Sequence, residues 1–356
     1  MNSPTWLDVH PSFKLNGIHY SAMDLGEVGY SLIKEGEPFE MAIGEFLLDW
    51  ISPNEHIDVF TSGSTGKPKS IPIKKVWMME SARATGTYFH LGPGTKALLC
   101  LSCSSIAGKM MLVRSMVLGW QLDYVEPSID PLSLITKEYD FTALVPLQAQ
   151  NSLEKLPKIK KLIIGGAPIG DRLKKELLGL PTEVYETYGM TETISHVAIK
   201  DLRKNKDGFH ALPDISFEQD KRTCLIIHAP KRSPHPIVTN DLVELHDETH
   251  FKWLGRYDSI INSGGIKLIP EQIEKKLATI IHARFFVAGI EDEALGQRLI
   301  LVVEDPKCNK DKLFHQIRAL QALDKYEVPK DIFCLDLFIE TSTGKIQRDK
   351  TLSLIV

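Results

Sequence analysis

The chain has 356 residues, 43% hydrophobic and 25% charged, and its 42 Lys and Arg against 46 Asp and Glu leave a formal net charge of −4. This is globular composition with length enough for two domains, and it supplies no general basic field, so nucleic acid is not an expected partner. No run is long and apolar enough for a membrane-spanning helix, and the start, MNSPTWLDVHPSF, lacks the basic end and apolar stretch of a secretory leader.

From about residue 56 to residue 190 short apolar runs alternate with longer amphipathic ones. HIDVF leads into a Gly-rich loop, and KALLCLS, QLDYVEP, FTALVPL, KKLIIGG and TEVYETYG read as further strands. Helices are expected over VWMMESARATGTYFH, AGKMMLVRSMVLG, PLSLITKEY and DRLKKELLGL. The alternation predicts an α/β fold with a mostly parallel sheet. Cys100 and Cys103 form a CxxC inside KALLCLSCSS, which reads as two buried thiols on a strand, with no second CxxC to complete a zinc site. Five cysteines in so long a chain make no disulfide framework, and a reduced, cytoplasmic setting is expected.

After about residue 200, DGFHALPDISFE, RTCLIIHAP and DLVELHDETHFKWLGR predict an antiparallel β subdomain. HDETH at 246 to 250 resembles a zinc-binding HExxH loosely, but it has Asp for Glu and falls between strand-like runs, so it reads as a hairpin tip. SIINSGGIKLI predicts a hairpin about a Gly-rich turn, Pro270 opens the helix EQIEKKLATI, and FFVAGIED, RLILVVED and DKLFHQIRALQAL read as two strands and a helix. The expected organisation is a large N-terminal domain, residues 1–255, and a small, mobile α+β C-terminal domain, residues 256–356.

The loop TSGSTGKPKS, residues 61 to 70, has the glycines, hydroxyls and lysines of a phosphate cradle. It is no Walker loop: only two residues separate Gly63 from Gly66, and Lys67 is followed by Pro68. Alone it would read equally as a flexible turn. It is accompanied, in order, by GGAP at 165, YETYGMTET at 185, TND at 239, GRYDSIINSGGIKLIP at 255 and TSTGKIQR at 341. With these motifs the chain resembles the adenylate-forming superfamily of acyl-CoA synthetases, peptide-synthetase adenylation domains and firefly luciferase. The matches run from residue 61 to residue 348.

The resemblance implies an AMP-forming ligase in which a carboxylate displaces pyrophosphate from ATP and the acyl group then passes to a thiol, with ATP, Mg²⁺ and CoA as cofactors. Thr61, Ser62, Gly63, Ser64, Thr65, Gly66 and Lys69 would hold the departing phosphates. Gly166, Ala167 and Pro168 would line one face of the adenine and Tyr188 would stack on the other, with Thr187 and Gly189 also among the nucleotide-binding residues. Thr191 would lie near the α-phosphate, and Glu192 would hold Mg²⁺ as a hard oxygen ligand. Asp241 and Arg256 would meet the ribose. Lys345 would bridge carboxylate and α-phosphate as the main catalytic cation, where preorganised charge is worth most. Asp258 matches the hinge about which the small domain turns, bringing Gly264, Gly265 and Lys267 to the site for the thioester step.

The phosphate loop stands much further along most such chains, so an N-terminal portion that helps wall the acyl pocket is expected to be missing. Ser105 occupies the position before the acyl-pocket helix, and Lys109 and Arg114 lie on that helix. Cations there suit an acid with a second carboxylate, although both also read as charges on a solvated face. Within the superfamily the layout most resembles the short o-succinylbenzoate–CoA ligases of menaquinone biosynthesis. The alternatives are a small-acid ligase that loads a carrier protein and a nucleotide-binding regulator without chemistry. Expected partners are a small carboxylic acid and CoA, with a homo-oligomer left open.

Overall fold

The computed structural model describes residues 6–61, 69–204, 208–340 and 346–355. Two compact units result. One comprises Met1–Glu218, Ile226–Ile237 and Leu245–Phe251, and the other Gln219–Leu225, Val238–Glu244 and Lys252–Val356.

Five apolar segments build the centre of the first unit's sheet. Glu183–Gly189, Ile159–Ile164, Tyr139–Leu144, Lys96–Leu99 and Gln121–Tyr124 pair in parallel in that spatial order. Parallel strands are covered on both faces and therefore run apolar without alternation; Leu98, Phe141, Leu162 and Ile164 have no exposed surface. Helices Ile106–Leu118 and Asp171–Leu178 fall between these strands along the chain, and Lys75–Phe89 precedes the earliest of them. Ser105 caps Ile106–Leu118, its Oγ accepting from the Gly108 amide at 3.4 Å, and Gly119 closes that helix in the left-handed region at φ 73°. Past Glu183–Gly189 the direction reverses, with His196–Asp201 antiparallel to it and Phe209–Ala211 antiparallel in turn. The α/β class with a mostly parallel sheet and an antiparallel extension is as expected.

Two expectations within this unit need correction. PLSLITKEY is not a helix: it forms turns that lead into Tyr139–Leu144. Its nine residues are too few to hold a helix without a packed face. Leu132 and Ile135 are instead drawn into the core, and Lys158 Nζ ties the Thr136 carbonyl at 2.9 Å. The segment HIDVF stands apart from the parallel sheet, because His56–Thr61 pairs antiparallel with Lys69–Lys74 in a two-stranded sheet.

Helices Leu25–Lys34 and Met41–Ile51, which no sequence motif announces, pack against each other. Gly44 permits their approach, since a Cβ there would stand 2.5 Å from the Gly29 carbonyl oxygen. HDETH is the expected hairpin tip, between strands Ile237–Asp247 and His250–Arg256. Cys100 and Cys103 are buried thiols, and burial pushes both up to about 12.

In the second unit, Ile261–Ser263 and Ile266–Leu268 form the hairpin that the glycines announced. Arg284–Asp292 and Gly296–Glu304 make a long antiparallel pair, to which Asp331–Leu335 adds in parallel. Helices Pro270–Leu277 and Lys310–Ala319 contribute Ile273, Leu277 and Ile317 to its core. Among the described residues no helix is long and apolar enough to cross a membrane.

Candidate nucleotide and acid site

Open α/β sheets bind ligands beyond the carboxyl ends of their strands, and one cluster of predicted residues lies there. Gly165–Pro168 follow Ile159–Ile164, with Gly166 at φ 84°, a conformation that favours glycine. Gly165 lies against the neighbouring strand, where a Cβ would stand 2.4 Å from Thr187 Oγ1. Thr187 in turn donates to the Ile164 carbonyl at 3.2 Å. The Tyr188 ring is set by Phe209 and Phe251, with centroids 5.8 and 5.1 Å away.

Gly189 ends that strand where the chain doubles back; a Cβ would stand 2.5 Å from the Ser195 carbonyl oxygen. Thr191–Thr193 form a single tight turn with Glu192 exposed on it. Buried Thr193 holds the turn, accepting from the Met190 amide at 2.8 Å. Ile194 then sits at φ 70° and ψ −47°, a strained conformation for a β-branched residue. Its consequence is to turn Ser195 and His196 inward.

There they meet Arg114. The helix Ile106–Leu118 carries this residue into the interior, only 2% exposed, so it does not lie on a solvated face. Arg114 donates from Nη2 to Ser195 Oγ at 2.6 Å and to His196 Nδ1 at 3.5 Å, and from Nε to Thr85 Oγ1 at 3.3 Å. Arg232, 3% exposed, donates to the His196 carbonyl at 3.2 Å. Every oxygen or nitrogen acceptor on Arg114 among the described residues is neutral. Burial, then the neighbouring Arg232 charge, lowers Arg114 to about 9, which leaves it a cation at neutral pH. Burial and the two guanidiniums hold His196 well below the ordinary histidine range, hence neutral. Thr85, Ser195, His196 and Arg232 were not singled out from sequence. Ser195 and His196 follow TET after one residue, Ile194, but nothing local distinguishes Thr85 or Arg232.

Lys109 points elsewhere. Its Nζ lies 5.0 Å from the Phe46 ring centroid on the N-terminal helix pair, and burial lowers its pKa while Cys103, Asp49 and Glu45 oppose the shift. Ser105 is occupied as a cap and donates to the Ser102 carbonyl at 2.8 Å. Lys69 opens its strand opposite Thr61 and is exposed. Ser62, Gly63, Ser64, Thr65, Gly66 and Lys345 lie outside the described residues.

The second unit gathers Asp241, Arg256 and Asp258. Asp241, 6% exposed, accepts from Trp253 Nε1 at 3.1 Å, and Arg256 Nη1 lies 3.7 Å from its Oδ1. Arg256 also grips Asp258 through two bonds of 3.0 and 2.8 Å, which hold that carboxyl below its usual range. Gly264 and Gly265, at φ 59° and 80°, form the two-residue hairpin turn, and Lys267 is exposed beside it.

Residues 57–214 match the family model described as AMP-binding enzyme. The solved acyl-CoA synthetase (AMP-forming)/AMP-acid ligase II-like protein of Dyadobacter fermentans is 36% identical over 93% of this chain and 98% of its own, with a TM-score of 0.62. The chain belongs to the AMP-binding, adenylate-forming enzyme family and is an AMP-forming acid–thiol ligase by class. A curated relative, 2-succinylbenzoate–CoA ligase of Staphylococcus aureus, is 26% identical over 94% of this chain and 74% of that protein. The o-succinylbenzoate coenzyme A synthetase of Bacillus subtilis, solved with ATP and magnesium ion, shares the fold at TM-score 0.71 and 23% identity, over 83% of this chain and 69% of that one.

Proposed function

We propose that this ligase activates o-succinylbenzoate with ATP and transfers the acyl group to CoA. The observation that supports the acid is Arg114, a buried guanidinium whose oxygen and nitrogen partners among the described residues are all neutral. An uncompensated charge is costly to bury, and a substrate bearing a second carboxylate would offset that cost. The likeness to named o-succinylbenzoate ligases supports the same reading.

In this account one substrate carboxylate displaces pyrophosphate from the α-phosphate while the other meets Arg114. Ser62, Gly63, Ser64, Thr65, Gly66 and Lys69 hold the leaving phosphates, Gly166–Pro168 and Tyr188 enclose the adenine, and Asp241 and Arg256 take the ribose. Lys345 offsets the charge that accumulates at phosphorus. The exposed carboxylate of Glu192 suits Mg²⁺, a hard cation that binds through one or two carboxylates and phosphate oxygens. When bound, that ion would neutralise phosphate charge. Residues 256–356 then turn about Asp258, the CoA sulfur attacks the acyl carbon, and AMP leaves.

The test is pyrophosphate release with a panel of acids. The expected result is strong turnover of o-succinylbenzoate and weak turnover of benzoylpropionate, which lacks the ring carboxylate. Equal turnover of both, and of medium-chain fatty acids, would leave the class intact and remove the substrate.

A further inference from the structure

A buried arginine can be held by carboxylates, which consume its charge, or by neutral dipoles, which fix its direction and leave the charge available. Arg114 is held in the second way, and the bonds around it define a proton arrangement. The Thr85 hydroxyl donates to the Ser81 carbonyl at 3.0 Å, so its oxygen accepts from Arg114 Nε and from His196 Nε2, 3.4 Å away. His196 therefore carries its proton on Nε2. Its Nδ1 is left as an acceptor for Ser195 Oγ at 3.2 Å and Arg114 Nη2 at 3.5 Å. Ser195 passes one bond along, accepting from Arg114 at 2.6 Å and donating to the ring.

Protonation of His196 would turn Nδ1 into a donor facing two donors and would set a third cation between two guanidiniums. Arg232 guards against this from the far side, where its Nη1 binds the His196 carbonyl and its charge opposes ring protonation. Among the described residues the charged groups facing the ring are these two arginines, one on the helix Ile106–Leu118 and one on the segment after Cys224–His228. Asp214 and Glu80 act on Arg232 rather than on the ring.

We infer that His196 is a positioning residue for acid recognition: as the neutral Nε2–H tautomer it fixes Arg114 without a counter-ion, and Arg232 keeps it in that form. This rests on the reading that Arg114 meets the substrate's second carboxylate, and it adds the residues that set the selectivity and its pH range.

The readout is the ratio of kcat/KM for o-succinylbenzoate to that for benzoylpropionate, from pyrophosphate release across pH, with KM for ATP measured in parallel. In the wild type the ratio should be level from neutral pH, where Arg114 is charged, down through about 6.5, where an ordinary histidine titrates, and should fall on the acid side only at lower pH. His196→Leu, which has no acceptor, should cut the ratio by roughly tenfold or more through KM for the acid, with KM for ATP unchanged. His196→Gln keeps a neutral acceptor and should restore the ratio and remove its acid fall. Arg232→Gln should move the onset of the fall to higher pH.

An unchanged ratio in His196→Leu, or an onset in Arg232→Gln identical to wild type, would overturn the positioning role while the acid assignment stands. A wild-type enzyme that does not distinguish the two acids would overturn both. Should His196→Leu prove unstable, the Gln variant and the Arg232 onset still decide the matter.

Discussion

At Gly189 a side chain has no room: a Cβ would stand 2.5 Å from the Ser195 carbonyl oxygen and 2.6 Å from the His196 Cα. These are backbone atoms, which cannot rotate away, so Gly189→Ala should cost about 1–3 kcal/mol, the usual range for overpacking. It should also loosen Arg114 by displacing Ser195. Urea unfolding measures the first effect, and a wild-type midpoint would contradict the contact. His196 gives a second expectation at this scale. Its folded pKa is depressed, so on acidification below about 6.5 the unfolded chain takes up a proton that the folded chain refuses. Its contribution is therefore complete above that pH and is lost as pH falls toward the folded value. The stability of His196→Gln should decline less than that of wild type between neutral and mildly acid pH, and parallel curves would mean that the ring is not held neutral. Lys69→Ala should slow acid-dependent pyrophosphate release by roughly 10²–10³, the loss typical when one donor to developing charge is removed; an unaltered rate would separate Lys69 from the leaving phosphates. Arg114 illustrates the limit of sequence at this scale. Its residue type and position were visible, but its burial is decided by Thr85, Ser195 and His196, which lie 29, 81 and 82 residues away along the chain.

The hairpin Ile261–Leu268 was legible because two successive glycines can both take positive φ, as a two-residue turn requires. Gly265→Ala meets no neighbour within 4 Å, so its cost is purely conformational, about 1–2 kcal/mol for an L-residue in the left-handed region. Chemical unfolding should show that loss, and none would imply a turn that reshapes freely. The parallel strands were legible for a similar reason, since burial on both faces imposes unbroken apolar runs such as LII at 162–164. What failed was the step from pattern to partner. HIDVF has the composition of a sheet strand, yet it pairs with Lys69–Lys74 across the Gly-rich loop's position in the chain. PLSLITKEY has helical spacing, yet Leu132 and Ile135 are captured by the core as a turn. The helix pair over residues 25–51 was missed because its signal is packing, Gly29 against Gly44, and not a motif.

The whole molecule is proposed to run two reactions by presenting two faces of residues 256–356 in turn, and this can be separated experimentally. Adenylation needs a cation between carboxylate and α-phosphate, the part assigned to Lys345. Thioester formation passes through no pentavalent phosphorus, and by then a turn about Asp258 would have replaced Lys345 by the hairpin with Gly264, Gly265 and Lys267. Asp258 is not idle in the structure: Arg256 holds it through two charge-assisted bonds, beside the arginine's contact with Asp241. A hinge at that position would therefore release or retain a residue assigned to the ribose as it moves, coupling the turn to the nucleotide. Lys345→Ala should abolish acyl-adenylate formation yet still convert a supplied acyl-adenylate and CoA to thioester. Asp258→Pro, or a bulky residue at Gly265, should do the reverse, releasing pyrophosphate while adenylate accumulates. Both half-reactions followed on each variant give the result directly. If Lys345→Ala slowed both halves equally, one fixed arrangement would serve the whole reaction, and the turn about Asp258 would have no part in it.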